Sequence, residues 1–137
     1  MYHNTRKEML EMKIAVINSC SNINKIREDK CTSTVDIEIS SGTYCYDVSD
    51  DIAKDIATMV IANQLFNEPL PSYWRTSNNQ NQTVTKQDLI DISIAMKQYI
   101  LAVGERSHYI KDVLVPTAHT CEELMQICED FRQWQPL

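Results

Sequence analysis

Acids, histidines and thiols are the side chains of this chain that could do chemistry, and their spacing decides which chemistry is open to them. Asp88 and Asp91 lie three residues apart, and Asp50, Asp51 and Asp55 crowd a second short stretch. General acid/base catalysis uses such pairs, one carboxyl protonated and the other ionised. Both groups, however, follow a helix-start residue, Thr85 or Ser49, where acids are favoured because they face unpaired N–H groups and the positive end of the helix dipole. The histidines, His3, His108 and His119, are far apart in polar context, whereas a zinc site needs at least three converging ligands. Cys20, Cys31, Cys45, Cys121 and Cys128 form no CxxC or Cys/His pair at metal spacing, and their odd number and irregular spread do not suit a disulfide framework. They are expected to be unbridged, mostly buried thiols, with Cys121 and Cys128 as core filler on one side of a helix. No G-x-S-x-G, H-E-x-x-H, P-loop or G-x-G-x-x-G pattern occurs, and two glycines leave little scope for a phosphate-cradling loop. The expectation is a chain with no catalytic residue, no cofactor and no metal, and not an enzyme.

Binding is the better prospect. Tyr73 and Trp74 stand in a polar stretch, and Trp134 ends the apolar stripe Leu124, Ile127 or Cys128, Phe131 near the C-terminus. Large aromatics in such places either anchor the segment or face a partner. Trp134, with Phe131, is assigned to an interface with a partner or a second copy of the chain. Asp36, Glu38 and Asp47 make an acidic patch on the polar face of a hairpin, a second candidate protein-binding surface.

These residues must be positioned by their elements. Lys13 to Asn18 (KIAVIN) is a short apolar run that reads as a strand, and 19–34 reads as a polar connection. Val35 to Val48 alternates around Ser41-Gly42, a pair suited to a two-residue hairpin turn. Pairing Ser40 with Thr43 sets Ile39 against Tyr44, Ile37 against Tyr46 and Val35 against Val48, all on one face. Asp36, Glu38, Cys45 and Asp47 then lie on the other, with Asp36 opposite Asp47. Ser49 caps a helix running to about Asn67, with Ile52, Ile56, Met59, Val60, Asn63 and Phe66 on its inner side. Residues 69–84 read as a polar linker. Thr85 and Asp88 have the logic of a capping box for a long helix to about Val115, with Gly104 as a kink site and Pro116 just past its stop. Thr120 to Glu123 opens a last helix. The fold class is therefore α+β: a strand and hairpin packed on a helix over residues 1–68, the linker, and a helical hairpin over 85–137.

At 137 residues, 43% hydrophobic and 23% charged, the chain has the composition of one globular domain, and no apolar run approaches the roughly 20 residues that span a bilayer. The start of the chain lacks a signal peptide's continuous apolar stretch, so the protein is expected in the cytoplasm where it is made. A net charge of −6 with scattered basic residues excludes a general nucleic-acid binder, since phosphate contacts need clustered Lys and Arg.

The run Tyr73-Trp74-Arg75-Thr76-Ser77-Asn78-Asn79, then Val84-Thr85, Asp88-Leu89-Ile90 and Ala95, and finally His119 to Leu124 with Ile127, resembles the C-terminal domain of unknown function in phage tail-fibre assembly and related tail proteins. The resemblance covers roughly residues 73–131. It implies a non-enzymatic phage protein of the host cytoplasm, or one carried on the virion, acting as a tail-fibre assembly factor, chaperone or tail-associated binding module. Its partner would be another phage structural protein, with self-association a further expectation; no nucleic acid or membrane is expected. The alternative, suggested by small size and acidity, is an inhibitor of a host defence complex, since an acidic surface can occupy a basic groove.

Overall fold

A 26-residue helix, α1 (Arg6–Cys31), stands where a strand and a connection were expected. Its start is a reciprocal capping box: Glu8 N–H donates to Thr5 Oγ1 and Thr5 N–H to Glu8 Oε2, each at 3.1 Å. No Gly or Pro interrupts the chain before Cys31, and Ser19, Ile23, Ile26 and Lys30 recur in steps of four and three as the buried side. The short β-branched run that suggests a strand is one segment of this longer helical pattern.

The structure, a computed structural model, describes residues 5–136, so His3 lies outside the described residues. The chain divides into two units: one formed by the residues up to Asp29 with those from Ala102 onward, and one formed by Lys30–Leu101.

In the Lys30–Leu101 unit, β1 (Thr34–Ile39) and β2 (Gly42–Asp47) form an antiparallel hairpin, and α2 (Asp50–Phe66) follows from its Ser49 cap, whose hydroxyl accepts the Ile52 N–H at 3.3 Å. Asn67 closes α2 in the left-handed region at φ 56°. The register pairs Ile39 with Gly42, Ile37 with Tyr44 and Val35 with Tyr46, two residues away from the expected one, so the two-residue loop is Ser40-Ser41. The cause is tertiary. Ser40 donates its N–H and its hydroxyl to the Asp88 carboxylate, at 2.9 and 2.8 Å, which draws Ser40 out of the ladder and into the turn. Gly42 takes the positive φ, 148°, that the shifted turn requires. A two-residue slip preserves the faces, so Ile37, Ile39 and Tyr46 are buried as the alternation demands, while Asp36 now pairs with Cys45 and not with Asp47.

The stretch read as a polar linker carries a second small hairpin, β3 (Tyr73–Arg75) with β4 (Asn81–Thr83). The buried Thr76 organises its loop: the hydroxyl accepts Gln80 N–H at 3.2 Å, and Thr76 N–H donates to the Gln80 carbonyl at 2.8 Å. Ser77 N–H bonds the Cys45 carbonyl at 2.8 Å, which fastens this loop to β2. Ile37, Ile39 and Tyr46 from the first hairpin, Ala53, Ile56 and Val60 from α2, and Val84, Leu89, Ile92 and Met96 share one core, against which Trp74 is half-buried.

The last four of those residues surround or lie on α3 (Lys86–Tyr109), which runs through Gly104 uninterrupted. Winding changes further on, to a π-helical segment (Ile110–Leu114) and a 3₁₀ turn (Val115–Thr117). Pro116 accounts for this: it has no N–H and its ring clashes with the carbonyl four residues back, so Val115 N–H reaches Ile110 O and the turn widens. α4 (Cys121–Gln133) starts on Thr120, whose hydroxyl accepts Glu123 N–H at 3.1 Å, and completes the helical hairpin. The other unit buries Ile23, Ile26, Val103, Ile110, Val115, Leu124, Cys128 and Phe131. Cys121, at the first position of α4, is exposed; of the expected pair of core thiols only Cys128 is buried, because a seven-residue step from the helix's first turn reaches the core only at its second end. The fold class is α+β.

Candidate functional site

Asp88, Asp91 and Asp50 each have hydrogen-bond or ion-pair partners within the fold. Asp88, 2% exposed, closes the α3 capping box by accepting Thr85 N–H at 2.9 Å while its own N–H donates to Thr85 Oγ1 at 3.1 Å. With the two bonds from Ser40, three donors converge on one carboxylate. The Thr85 N–H foremost, and both Ser40 donors, hold it ionised below the usual aspartate range against the opposing cost of desolvation. Asp91 accepts from Gln87 Nε2 at 2.9 Å on the same helix. Asp50 sits between Lys97 and Lys54, the latter at 3.0 Å, and hydrogen bonding to both lysines lowers its pKa. His108 and His119 are exposed. Among the described residues, no three His, Cys, Asp or Glu side chains gather as metal ligands do, and no helix is long and apolar enough to cross a membrane.

The aromatic candidates separate. Tyr73 is exposed on β3, whereas its neighbour Trp74 faces the core, since adjacent strand residues point to opposite sides. Phe131 is fully buried in α4 and so is core, not contact surface. Trp134, at the C-cap of α4, is half-buried: its ring lies 6.2 Å from that of Phe131, and the Arg106 guanidinium stands 5.8 Å from it and 5.1 Å from the Tyr109 ring. Asp36, Glu38 and Asp47 are all exposed on the outer face of the first hairpin.

The sequence reading passed over an apolar surface in the Lys30–Leu101 unit. α2 and α3 lie side by side there, fastened by Ser93 Oγ donating to the Ala53 carbonyl at 3.1 Å and by the Lys97–Asp50 pair. Between them runs a groove of about 310 Å³ walled by Ala57, Val60, Ile61, Ile90, Ser93 and Ile94. Ile61 and Leu65 on one bank and Ile94 and Leu101 on the other are about half exposed or more. Soluble surfaces seldom gather aliphatic side chains in this way unless something covers them. A wider hollow of about 500 Å³ in the other unit, between α1 and α4, is walled by Glu122, Gln126, Glu129 and Arg132 together with Met125 and Cys128. Long polar side chains that bond one another there, as Arg132 and Glu129 do at 3.0 Å, make it the weaker candidate. The signal for the α2 face was present in the sequence: Ala57, Ile61 and Leu65 recur at four-residue steps outside the stripe that Ile56 and Val60 bury.

A protein-family profile described as a domain of unknown function, DUF4376, matches residues 14–133, from within α1 to the last turn of α4. The chain belongs to the DUF4376 family. The match takes in both hairpins, α1 from Ile14 onward and the later helices, well beyond the 73–131 stretch whose motifs carry the resemblance. No curated protein and no solved structure matches this DUF4376 chain.

Proposed function

We propose that this DUF4376 chain is a non-enzymatic phage protein, a tail-fibre assembly factor or tail-associated binding module, that engages a fibre or tail protein of the same phage through the α2–α3 face. The observation that carries this reading is the apolar groove between Ile61 and Ile94, a surface suited to receive the apolar stripe of a partner helix. The structural engagement of Asp88 and Asp50 supports the non-enzymatic part, because neither carboxylate is left to act as an acid or base. The motif order from Tyr73 to Ile127 supports the tail assignment.

Co-expression with a tail-fibre protein of the same phage tests the reading. The expected result is co-purification of the two, with fibre yield that rises in the presence of this chain. Ile61→Asp and Ile94→Asp should weaken the complex about thirtyfold or more, as removing a central apolar anchor does. Complexes unaffected by both substitutions, or a fibre yield indifferent to the chain, refute it.

The exposed acids Asp36, Glu38 and Asp47 favour a second reading, an inhibitor that occupies a basic groove of a host defence complex. Recovery of such a complex from host lysate, lost on Asp36→Asn with Glu38→Gln, would replace the first reading with this one.

A further inference from the structure

A two-stranded hairpin has two outer edges, and in the first hairpin one of them meets a neighbour while the other does not. Val48 N–H donates to the Ser33 carbonyl at 2.8 Å, so in the alternation of an antiparallel ladder Val35–Tyr46, Ile37–Tyr44 and Ile39–Gly42 exchange the bonds between the strands. Thr34–Asp47, Asp36–Cys45 and Glu38–Thr43 are then the pairs whose N–H and C=O groups point outward. On β2 the Cys45 carbonyl obeys this, accepting Ser77 N–H at 2.8 Å from the loop of the second hairpin. On β1 the next outward donor beyond Glu38, the Ser40 N–H, is taken by Asp88. Before that point the backbone groups of Thr34, Asp36 and Glu38 have no hydrogen-bond partner among the described residues, and all three residues are exposed. Three open rungs of a ladder are a template for another strand.

We infer that the β1 edge binds an extended basic segment of another protein, which adds as a third strand beside Thr34, Asp36 and Glu38. Backbone geometry sets the shape of the occupant, and charge sets its chemistry. Asp36 and Glu38 stand on the exposed face of the hairpin with Asp47, and among the described residues none of the three has an ion-pair partner. The other residues of that face, Thr34, Thr43 and Cys45, supply no cation. An added strand puts the residue opposite Asp36 and the one opposite Glu38, two positions apart, on this same face, so Lys or Arg at alternate positions meets both acids. The residue between them lies on the side of the buried Ile37, where an apolar side chain extends the covered face. The segment that fits is therefore basic, apolar, basic, and it is held by main-chain bonds with its side chains giving specificity. The same acids reject a second copy. β1 (TVDIEI) holds no Lys or Arg to answer them, and an antiparallel pair of β1 strands that uses all three rungs sets Asp36 against Asp36. The edge is separate from the α2–α3 groove, and its occupant depends on neither function proposed above.

Titration of the full chain at low salt with the peptide acetyl-Lys-Val-Lys-Val-Lys-amide, followed by amide hydrogen exchange, tests this. Binding is expected with a Kd of about 10 to 300 µM, as befits a short strand with three rungs. At saturation the amides of Thr34, Asp36 and Glu38, fast in the free chain, should exchange about tenfold more slowly or less. Methylating the lysine amides of the peptide, which face β1, should weaken binding about tenfold, whereas methylating its valine amides, which face away, should leave it unchanged. Asp36→Lys with Glu38→Lys, both on the outer face, should exchange the preference for the lysine peptide for one for its glutamate counterpart. No binding up to about 1 mM, unchanged exchange at the three amides, equal affinity for the two methylated peptides, or a double variant that still prefers the lysine peptide would each overturn the inference.

Discussion

Replacing Asp88 by Asn removes the negative charge on which three donors converge while keeping the side chain's shape. The carboxylate accepts Thr85 N–H, Ser40 N–H and Ser40 Oγ–H at 2.8 to 2.9 Å, and an amide in its place has one oxygen to offer and turns an NH₂ toward the remaining donors. Loss of the cap costs about 1 kcal/mol, and each tertiary bond to a charged acceptor about 1.5 to 3 kcal/mol before water returns. Ser40 and Thr85 are themselves exposed residues, so their amides recover part of this from solvent. The expected loss is about 2 to 3 kcal/mol, read as a lower urea midpoint at pH 7 with an unchanged slope. Asp91→Asn, one turn away on the same helix with a single exposed partner, should stay within about 0.5 kcal/mol. The pH dependence has a definite sign. The folded-state pKa of Asp88 lies below its ordinary value of 3.8, so its contribution is fully present above that value and is lost as the pH falls through the folded pKa. The gap between wild type and Asp88→Asn should therefore narrow below about pH 4 and remain constant from pH 5 to 7. A cost under about 0.5 kcal/mol, or a gap that does not narrow in acid, would show that the carboxylate does not tie the hairpin turn to α3.

The other stability predictions share the same assay. Tyr46 is fully buried and its hydroxyl has no hydrogen-bond partner among the described residues, so Tyr46→Phe should be neutral or stabilising by up to about 1 kcal/mol; a loss above that would reveal a bond to the hydroxyl. Ile37→Ala should cost about 2 to 4 kcal/mol while Glu38→Ala, one residue along and on the outer face, stays within about 0.5; equal effects would contradict the assignment of the faces. Trp134→Ala removes the ring that packs at a tilt against Phe131 and receives Arg106, so it should lower the melting temperature measurably even where no partner is present; an unchanged melting temperature would leave Trp134 to an interface alone.

How far the residues disclosed the fold follows from how local each signal was. The caps at Ser49, Thr85 and Thr120 were legible because the hydroxyl and the amide it accepts are within three residues of each other. The faces of the first hairpin were legible from period-two alternation, but its register was not, since the bonds that set it join Ser40 to Asp88 across forty-eight residues. The second hairpin was illegible for a different reason. Its strands are three residues each, with Trp74 the one side chain that they send against the core, and its loop is held by the buried Thr76 and by a backbone bond to β2, which leave no apolar alternation to read. The α2–α3 face was hidden by the assumption that a helix has one apolar stripe; Ile61 and Leu65 belong to a second.

α1 is the instructive case, because its signal was local and of a kind used elsewhere in the chain. Thr5-Arg6-Lys7-Glu8 is the same capping grammar as Thr120 to Glu123, and in both the hydroxyl accepts the N–H three residues on at 3.1 Å. What competed with it was KIAVIN, in which Ile14, Val16 and Ile17 favour a strand by residue type. A run of six cannot be assigned by periodicity alone, and the arbiter is length: a strand there would need a turn signal within a few residues on each side, and none of Gly, Pro or an Asn-Gly pair occurs between Thr5 and Thr32. An uninterrupted stretch of that length can be satisfied internally only as a helix, whose backbone groups pair within the segment. The β-branched residues then have to be accounted for by packing and not by propensity: Val16 turns toward the side that α1's own unit covers, while Ile14 and Ile17 stay exposed on a helix whose later turns are buried.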